Sequence, residues 1–374
     1  MSLQFCDLHA QYQKISKDLN KKIQTVFEQS KFIMGPEVAE LENKLKEYVN
    51  IKHAISCANG TDALTLALMA IGLKPGDEVI MPAFTYFATA EACMLLNGIP
   101  VFVDVEESTF NINAQLIEKK ITSKTKAIIH VSLFGQCSDI ELIQKIAKKH
   151  NLYVIEDAAQ SFGATYKGNK SCSISDISCT SFFPSKPLGC YGDGGMCFTN
   201  DDEIAIKLKS LRIHGQGKRY YHELIGMNSR LDTLQAAILL AKIAIFDDEV
   251  ILRQKVAENY NKLLDGVLES PYISPFNTSV YAQYTLKHPK RDFIIEKMKD
   301  KGIPTMIYYP LTLPMQTAIT SSIESYATLD QEKEYPVSTK LSQIVFSLPM
   351  HPYLKIEEQE FISRELKSIL EENL

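Results

Sequence analysis

The sequence predicts an α/β protein: a mainly parallel, seven-stranded sheet flanked by helices, followed by a smaller α+β domain. Seven short β-rich runs carry the first part of that reading. Many are nearly continuous in Val, Ile and Phe, as strands buried on both faces are. Helical stretches separate several of the runs, and such alternation indicates a largely parallel sheet covered on both sides. After Asn200 the texture shifts to long helices and then to short mixed elements, which marks the second domain.

In chain order, two helices are expected at residues 14–30 and 36–48, broken at Gly35-Pro36, where the proline suits a first helical turn. The seven strands are expected at 54–58, 78–81, 100–105, 126–133, 152–156, 177–183 and 195–199. Helices fall at 62–72, 87–97, 113–121 and 139–150. Residues 202–213 and 231–247 read as helical, and a long helix is expected over 249–267. A segment containing Pro, Ser and Asn at 269–279 leads into short strands and helices. The large domain is placed at 1–245 and the small one at 246–374.

The 374 residues exceed what one core of roughly 250–300 residues fills. Apolar residues make up 45% and charged residues 23%, an ordinary balance for a soluble chain. A net charge of -5 gives no basic footprint for nucleic acid and no polybasic membrane patch. Glu91, Lys242 and Asp247 interrupt the most apolar stretches, and the start, Met1-Ser2-Leu3-Gln4, lacks the form of a signal peptide. A cytoplasmic enzyme is expected. The eight cysteines form no C-x-x-C pair and no metal-ligand spacing, so they read as small buried hydrophobes, with no metal site.

The chemistry-bearing residues concentrate in two places. Asp157 closes an apolar run, at the strand end where open α/β sheets bind ligands. One strand later, Lys186 stands in Pro184-Ser185-Lys186-Pro187, ahead of the glycine-rich stretch 189–195. A lysine there can form a Schiff base if burial lowers its pKa, although Ser-Lys-Pro alone reads as a solvated loop. Asn59-Gly60-Thr61 follows the first strand and opens a helix, offering free N–H groups and a hydroxyl to a phosphate. Thr61 can equally be a plain helix cap. Together, a phosphate turn, a strand-end acid and a later lysine are the three anchors of a pyridoxal-phosphate site.

At these motifs the chain resembles the DegT/DnrJ/EryC1 sugar-nucleotide aminotransferases, within fold type I of the aspartate aminotransferase superfamily. The resemblance runs through Gly35-Pro36-Glu37-Val38, Asn59-Gly60-Thr61-Asp62-Ala63-Leu64, residues 82–89, Glu156-Asp157-Ala158-Ala159-Gln160, residues 181–195, Gly226-Met227-Asn228-Ser229-Arg230-Leu231-Asp232 and Leu348-Pro349-Met350-His351-Pro352. It implies pyridoxal 5'-phosphate as cofactor, held covalently by Lys186. It further implies Asp157 on the pyridinium nitrogen, Gln160 on the ring's phenolic oxygen and Tyr86 stacked on the ring. Gly60, Thr61 and Ser181 would hold the phosphate. The resemblance also implies a homodimer with shared sites, in which Asn228 touches the partner's phosphate and Arg230 approaches the sugar.

The likeness is strongest to enzymes acting at C3 of UDP-linked 2-acetamido-3-keto sugars, through residues 56–62 and 180–195. The expected partners are therefore a UDP-keto-sugar and L-glutamate, with Ser30, Phe32, Ser185, Arg230, Tyr308 and Tyr309 as sugar contacts. Uronate-acting members carry Gly-x-Tyr where this chain has Ser30-Lys31-Phe32, and His-Tyr-Pro where it has Tyr308-Tyr309-Pro310. These departures remove a hydroxyl and a potential cation that could bind a carboxylate. The neutral sugar, the 3-keto derivative of UDP-N-acetylglucosamine, is therefore expected, with the 3-keto-uronic acid as alternative. The product would be a 2,3-diamino sugar nucleotide for lipid A or a surface glycan. A nicotinamide oxidoreductase is disfavoured, since no G-x-G-x-x-G joins a strand to a helix. A non-catalytic regulator on the same fold is the remote alternative.

Overall fold

The computed structural model describes residues 3–372. Its central sheet has seven strands: β1 (His53–Cys57), β2 (Glu78–Pro82), β3 (Ile99–Val103), β4 (Thr125–Val131), β5 (Tyr153–Asp157), β6 (Ile177–Ser181) and β7 (Gly195–Thr199). Their spatial order is β1-β7-β6-β5-β4-β2-β3. Only β7 runs antiparallel to its neighbours, so the carboxyl ends of the other six share one edge.

Alternation along each strand sends side chains into two layers. Met81, Ile129, Ile155 and Cys179 pack under α3 (Gly60–Ala70), α4 (Ala88–Leu95) and the later helix α6 (Asp202–Leu211). Their neighbours Ile80, Ile128 and Val154 face α5 (Ile140–His150) on the opposite side. Farther along that side, Ala54, Phe182, Met196 and Phe198 meet α1 (Leu8–Gln29), α2 (Pro36–Val49) and α7 (Thr233–Ile243). Burial of each such side chain contributes about 1.5–3 kcal/mol, which explains why the strands lack a polar face.

Several boundaries differ from the sequence expectation. The first helix begins at Leu8 rather than at 14, because Asp7 caps it by accepting the Ala10 N–H at 2.9 Å. Residues 113–121 form only a short turn, Ala114–Ile117, and a 3-10 turn, Glu118–Lys120. The helices expected at 231–247 and 249–267 are α7 and α8 (Phe246–Leu263), with the break at Ala244-Ile245.

The half of α8 after Arg253 joins a separate core. Val256, Tyr260 and Leu264 pack with the antiparallel pair β8 (Tyr284–Lys287) and β9 (Val345–Leu348). Helices α9 (Arg291–Asp300) and α11 (Ile356–Glu371) complete it, while α10 (Pro336–Ile344) rests on the large sheet side through Leu341. One crossing strand ties the two parts together, since Asn277–Thr278 pairs with Thr165–Tyr166. Among the described residues, no helix is long and apolar enough to cross a membrane. All eight cysteines are unpaired, and all but Cys6 are buried.

Candidate active site

The carboxyl edge of the sheet opens into a cavity of about 580 Å³. Asp157 ends β5 and turns into this cavity, while its neighbour Glu156 faces the opposite layer. Glu156 is fully buried and accepts the hydroxyls of Ser132, Ser171 and Ser178 and the N–H of Cys172. That acid ties the strand to its surroundings. Asp157 makes only two such bonds, from the Ala159 N–H at 3.2 Å and the Thr89 hydroxyl at 2.9 Å. Burial pushes its pKa up, opposed by these donors and by the charge of Lys186.

Lys186 stands on an excursion between β6 and β7. Its base is closed by Phe182 N–H to Gly194 O and by Cys190 N–H to Phe182 O, each at 2.7 Å. Lys186 is half-buried and lines the cavity. Burial pulls its pKa down, and Asp157 pulls it back in part.

Helix α3 supplies the third anchor. Its cap is Asn59, not Thr61: the Asn59 side chain accepts the Asp62 N–H at 2.8 Å. The N–H groups of Gly60 and Thr61 therefore have no intrahelical partner, and the Thr61 hydroxyl is not used as a cap. Gly60 is required by close approach, since a Cβ there would lie 2.7 Å from the Ser181 Cβ. The helix end adds roughly half a positive charge at this point.

Gln160 has a fixed orientation. Its Oε1 accepts the Phe134 N–H at 2.8 Å, which leaves Nε2 to face the cavity, where it donates to the Tyr309 hydroxyl at 3.1 Å. Tyr309 packs edge-on against Phe84 and lies 6.0 Å from the Tyr86 ring. Tyr86 is 58% exposed, a poor position for a core aromatic and a suitable one for covering a ligand.

Of the residues singled out by sequence, the cavity gathers Gly60, Thr61, Tyr86, Asp157, Gln160, Ser181, Ser185, Lys186, Tyr308 and Tyr309. Ser30, Phe32, Asn228 and Arg230 do not line it. Ser30 and Phe32 are exposed beyond the end of α1, and Asn228 is exposed opposite Ile213. Sequence reasoning missed Thr89, which holds Asp157, and the lining residues Thr85, Asp193 and Gln283. Thr85 and Thr89 lay within a noted motif; nothing in the sequence pointed to Gln283, which arrives from the segment just ahead of β8.

Residues 13–367 match the DegT/DnrJ/EryC1/StrS aminotransferase family. The chain is 52% identical to the UDP-2-acetamido-2-deoxy-3-oxo-D-glucuronate aminotransferase of Pseudomonas aeruginosa, over 94% of this chain and 96% of that protein. It is 43% identical to a pleiotropic regulatory protein of Geobacillus stearothermophilus, covering 97% of each. It is 39% identical to the UDP-N-acetyl-3-dehydro-alpha-D-glucosamine 3-aminotransferase of Acidithiobacillus ferrooxidans, covering 94% of each. The crystal structure of NtdA from Bacillus subtilis, with bound cofactor PMP, is similar with a TM-score of 0.91 at 31% identity, over 99% of this chain and 85% of that one. The chain is a member of the DegT/DnrJ/EryC1/StrS aminotransferase family.

Proposed function

We propose that the chain is a pyridoxal-phosphate aminotransferase that moves an amino group from L-glutamate to C3 of a UDP-linked 2-acetamido-3-keto-hexose. One observation carries this reading: Lys186, Asp157 and the open N-terminus of α3 meet in a single cavity. The residues fit the cofactor. The cradle at Gly60 has no room for a Cβ, and two buried polar atoms of cavity residues, Thr85 Oγ1 and Gln283 Oε1, have no partner among the described residues.

When bound, pyridoxal phosphate supplies an electron-withdrawing ring and carries the amino group between donor and acceptor. Gly60, Thr61 and Ser181 would hold its phosphate through N–H groups and hydroxyls. Asp157 would keep the ring nitrogen protonated, and Gln160 Nε2 would donate to the phenolic oxygen. Tyr86 would cover one face. Burial lowers the pKa of Lys186, and in its unprotonated form Nζ would take the proton from Cα of glutamate and later deliver one to C3 of the sugar. Ser185, Tyr308 and Tyr309 would line the sugar's side of the cavity.

Asn228 and Arg230 would serve the site of a second copy. Support comes from a cluster of exposed apolar side chains, Phe27, Phe32, Ile33 and Met34, beside that segment, where Ile33 bridges Asp232. Such a patch suits an interface, and Ser30 and Phe32 would reach the sugar across it. The dimer, a cytoplasmic location and supply of a 2,3-diamino sugar to lipid A or a surface glycan belong to this same reading.

The neutral sugar is favoured by charge. Lys186 is the one cation lining the cavity among the described residues, alongside Asp62, Asp157 and Asp193. Apart from Lys186, which would hold the cofactor, a C6 carboxylate would find no lysine or arginine lining the cavity from this chain among the described residues. The 52% identity to a uronate-acting enzyme supports the 3-keto-uronic acid as the second reading, with Arg230 of the other copy as its partner. In side-by-side kinetics, kcat/KM for UDP-3-keto-N-acetylglucosamine should exceed that for the uronate by about tenfold, the factor that 1.4 kcal/mol of lost pairing gives. Turnover of the uronate alone would reverse the assignment.

A further inference from the structure

Lys242, on α7, is fully buried, and its Nζ has no hydrogen-bond partner among the described residues. It lies 3.9 Å from the centroid of the Tyr191 ring, on the far limb of the excursion that carries Lys186. A desolvated ammonium is costly unless something stabilises the charge, and an aromatic face at that distance does so. Gln235 lies two turns earlier on the same helix face and grips the same residue by its backbone. Tyr191 N–H donates to Gln235 Oε1 at 3.0 Å, and Gln235 Nε2 donates to Tyr191 O at 3.4 Å. Gly192 is pressed onto that amide, where a Cβ would lie 2.8 Å from Nε2. Asp193, the next residue, lines the cavity.

We propose that Lys242 is a positioning residue: its ammonium, stacked on Tyr191, acts with Gln235 to clamp the 190–194 limb and so fixes Lys186 and Asp193 in the cavity. This inference rests on the aminotransferase reading of that cavity. It requires the charge, because Nζ has no hydrogen bond to fall back on.

The charged and titratable groups facing Lys242 are Glu249 on α8, Cys190 and Tyr191 on the limb, and Cys6 in the N-terminal segment. Glu249 accepts both Gln11 Nε2 contacts at 3.0 Å and the Tyr353 hydroxyl. Burial brings Lys242 down to about 8, whereas Cys190 is pushed up to about 11, Tyr191 up to about 12, and Cys6 is raised. Lys242 is therefore the member of the cluster that gives up its proton first as pH rises, and with it its charge. Its folded pKa is below its unfolded one, so the unfolded chain binds the proton more tightly. Its contribution to stability then improves as pH climbs through about 8, while the clamp weakens. Activity and stability should move in opposite directions.

The test is the half-reaction of the holoenzyme with L-glutamate, followed by loss of the cofactor's visible band across pH. Wild type should slow above about pH 8, and Lys242→Met should be about tenfold slower below it and lack that limb. Lys242→Arg should hold its rate through this range, because guanidinium keeps its proton. Tyr191→Leu should match Lys242→Met, and Tyr191→Phe should match wild type, since the Tyr191 hydroxyl has no partner. Over the same range the Tm of wild type should gain on that of Lys242→Met. Equal rates and pH profiles for Tyr191→Leu and Tyr191→Phe, or an unchanged alkaline limb in Lys242→Met, would overturn the proposal. If wild type binds cofactor yet fails to react with glutamate, the aminotransferase reading fails instead, and the Tm series alone then decides for or against the clamp.

Discussion

Lys186→Ala is expected to lower kcat by about 10,000-fold, the upper range for removal of a positioned acid–base group. The loss has two parts. Nζ is the only amine lining the cavity among the described residues, so no second lysine there can replace it in holding the cofactor or moving the proton. The fold should survive, because burial penalises the Lys186 ammonium and alanine removes that cost. Cofactor should still bind at the α3 turn, but borohydride should no longer fix it to the chain. Single-turnover kinetics with peptide mapping after reduction would check both parts. A regulator that keeps the fold without the chemistry would show no turnover in the wild type either.

Asp157→Asn should follow, with a loss of about 1,000-fold in kcat. Two opposite unit charges about 4 Å apart attract by about 4 kcal/mol at an effective dielectric constant of 20, and Asp157 would be so paired with the protonated ring. The amide can keep both existing bonds, by accepting the Ala159 N–H and donating to the Thr89 hydroxyl, so geometry is preserved. The stability of the cofactor-free protein should change with the opposite sign. Burial raises the folded pKa of Asp157 above its unfolded value, so its ionised form is penalised in the fold. That penalty is absent at low pH and grows as pH rises through the unfolded value toward the folded one. At neutral pH the cofactor-free Asp157→Asn variant should therefore melt higher than wild type while its holoenzyme turns over far more slowly. Calorimetry beside steady-state kinetics reads both. A lower Tm would mean that the carboxylate is held by attraction rather than tolerated for function.

The sheet and its site were legible to different depths. Strands β1 to β7 could be read because they are buried on both faces, and an apolar run survives any choice of neighbour. Asp157 and Lys186 could be read because strand ends and glycine-rich turns leave local marks. The cap of α3 could not be settled: Asn59 and Thr61 are both competent, and only the backbone at Asn59 shows which one accepts the Asp62 N–H. Thr89, Gln283 and Lys242 matter through contacts separated by many residues in sequence. Lys242 in particular read as an interruption in an apolar stretch, when it is a buried cation on a ring face. Asn228 and Arg230 remain outside the cavity of their own chain, and the role proposed for them would require a second copy.

The most direct test of the account is to supply L-glutamate carrying an isotopically labelled amino nitrogen together with UDP-3-keto-N-acetylglucosamine, and to analyse the nucleotide sugar by mass spectrometry. A UDP-2,3-diamino sugar with the label at C3 is expected, formed by wild type and not by Lys186→Ala. Labelled product from Lys186→Ala at the wild-type rate, or no label in any UDP-3-keto-hexose, neutral or uronic, would contradict it.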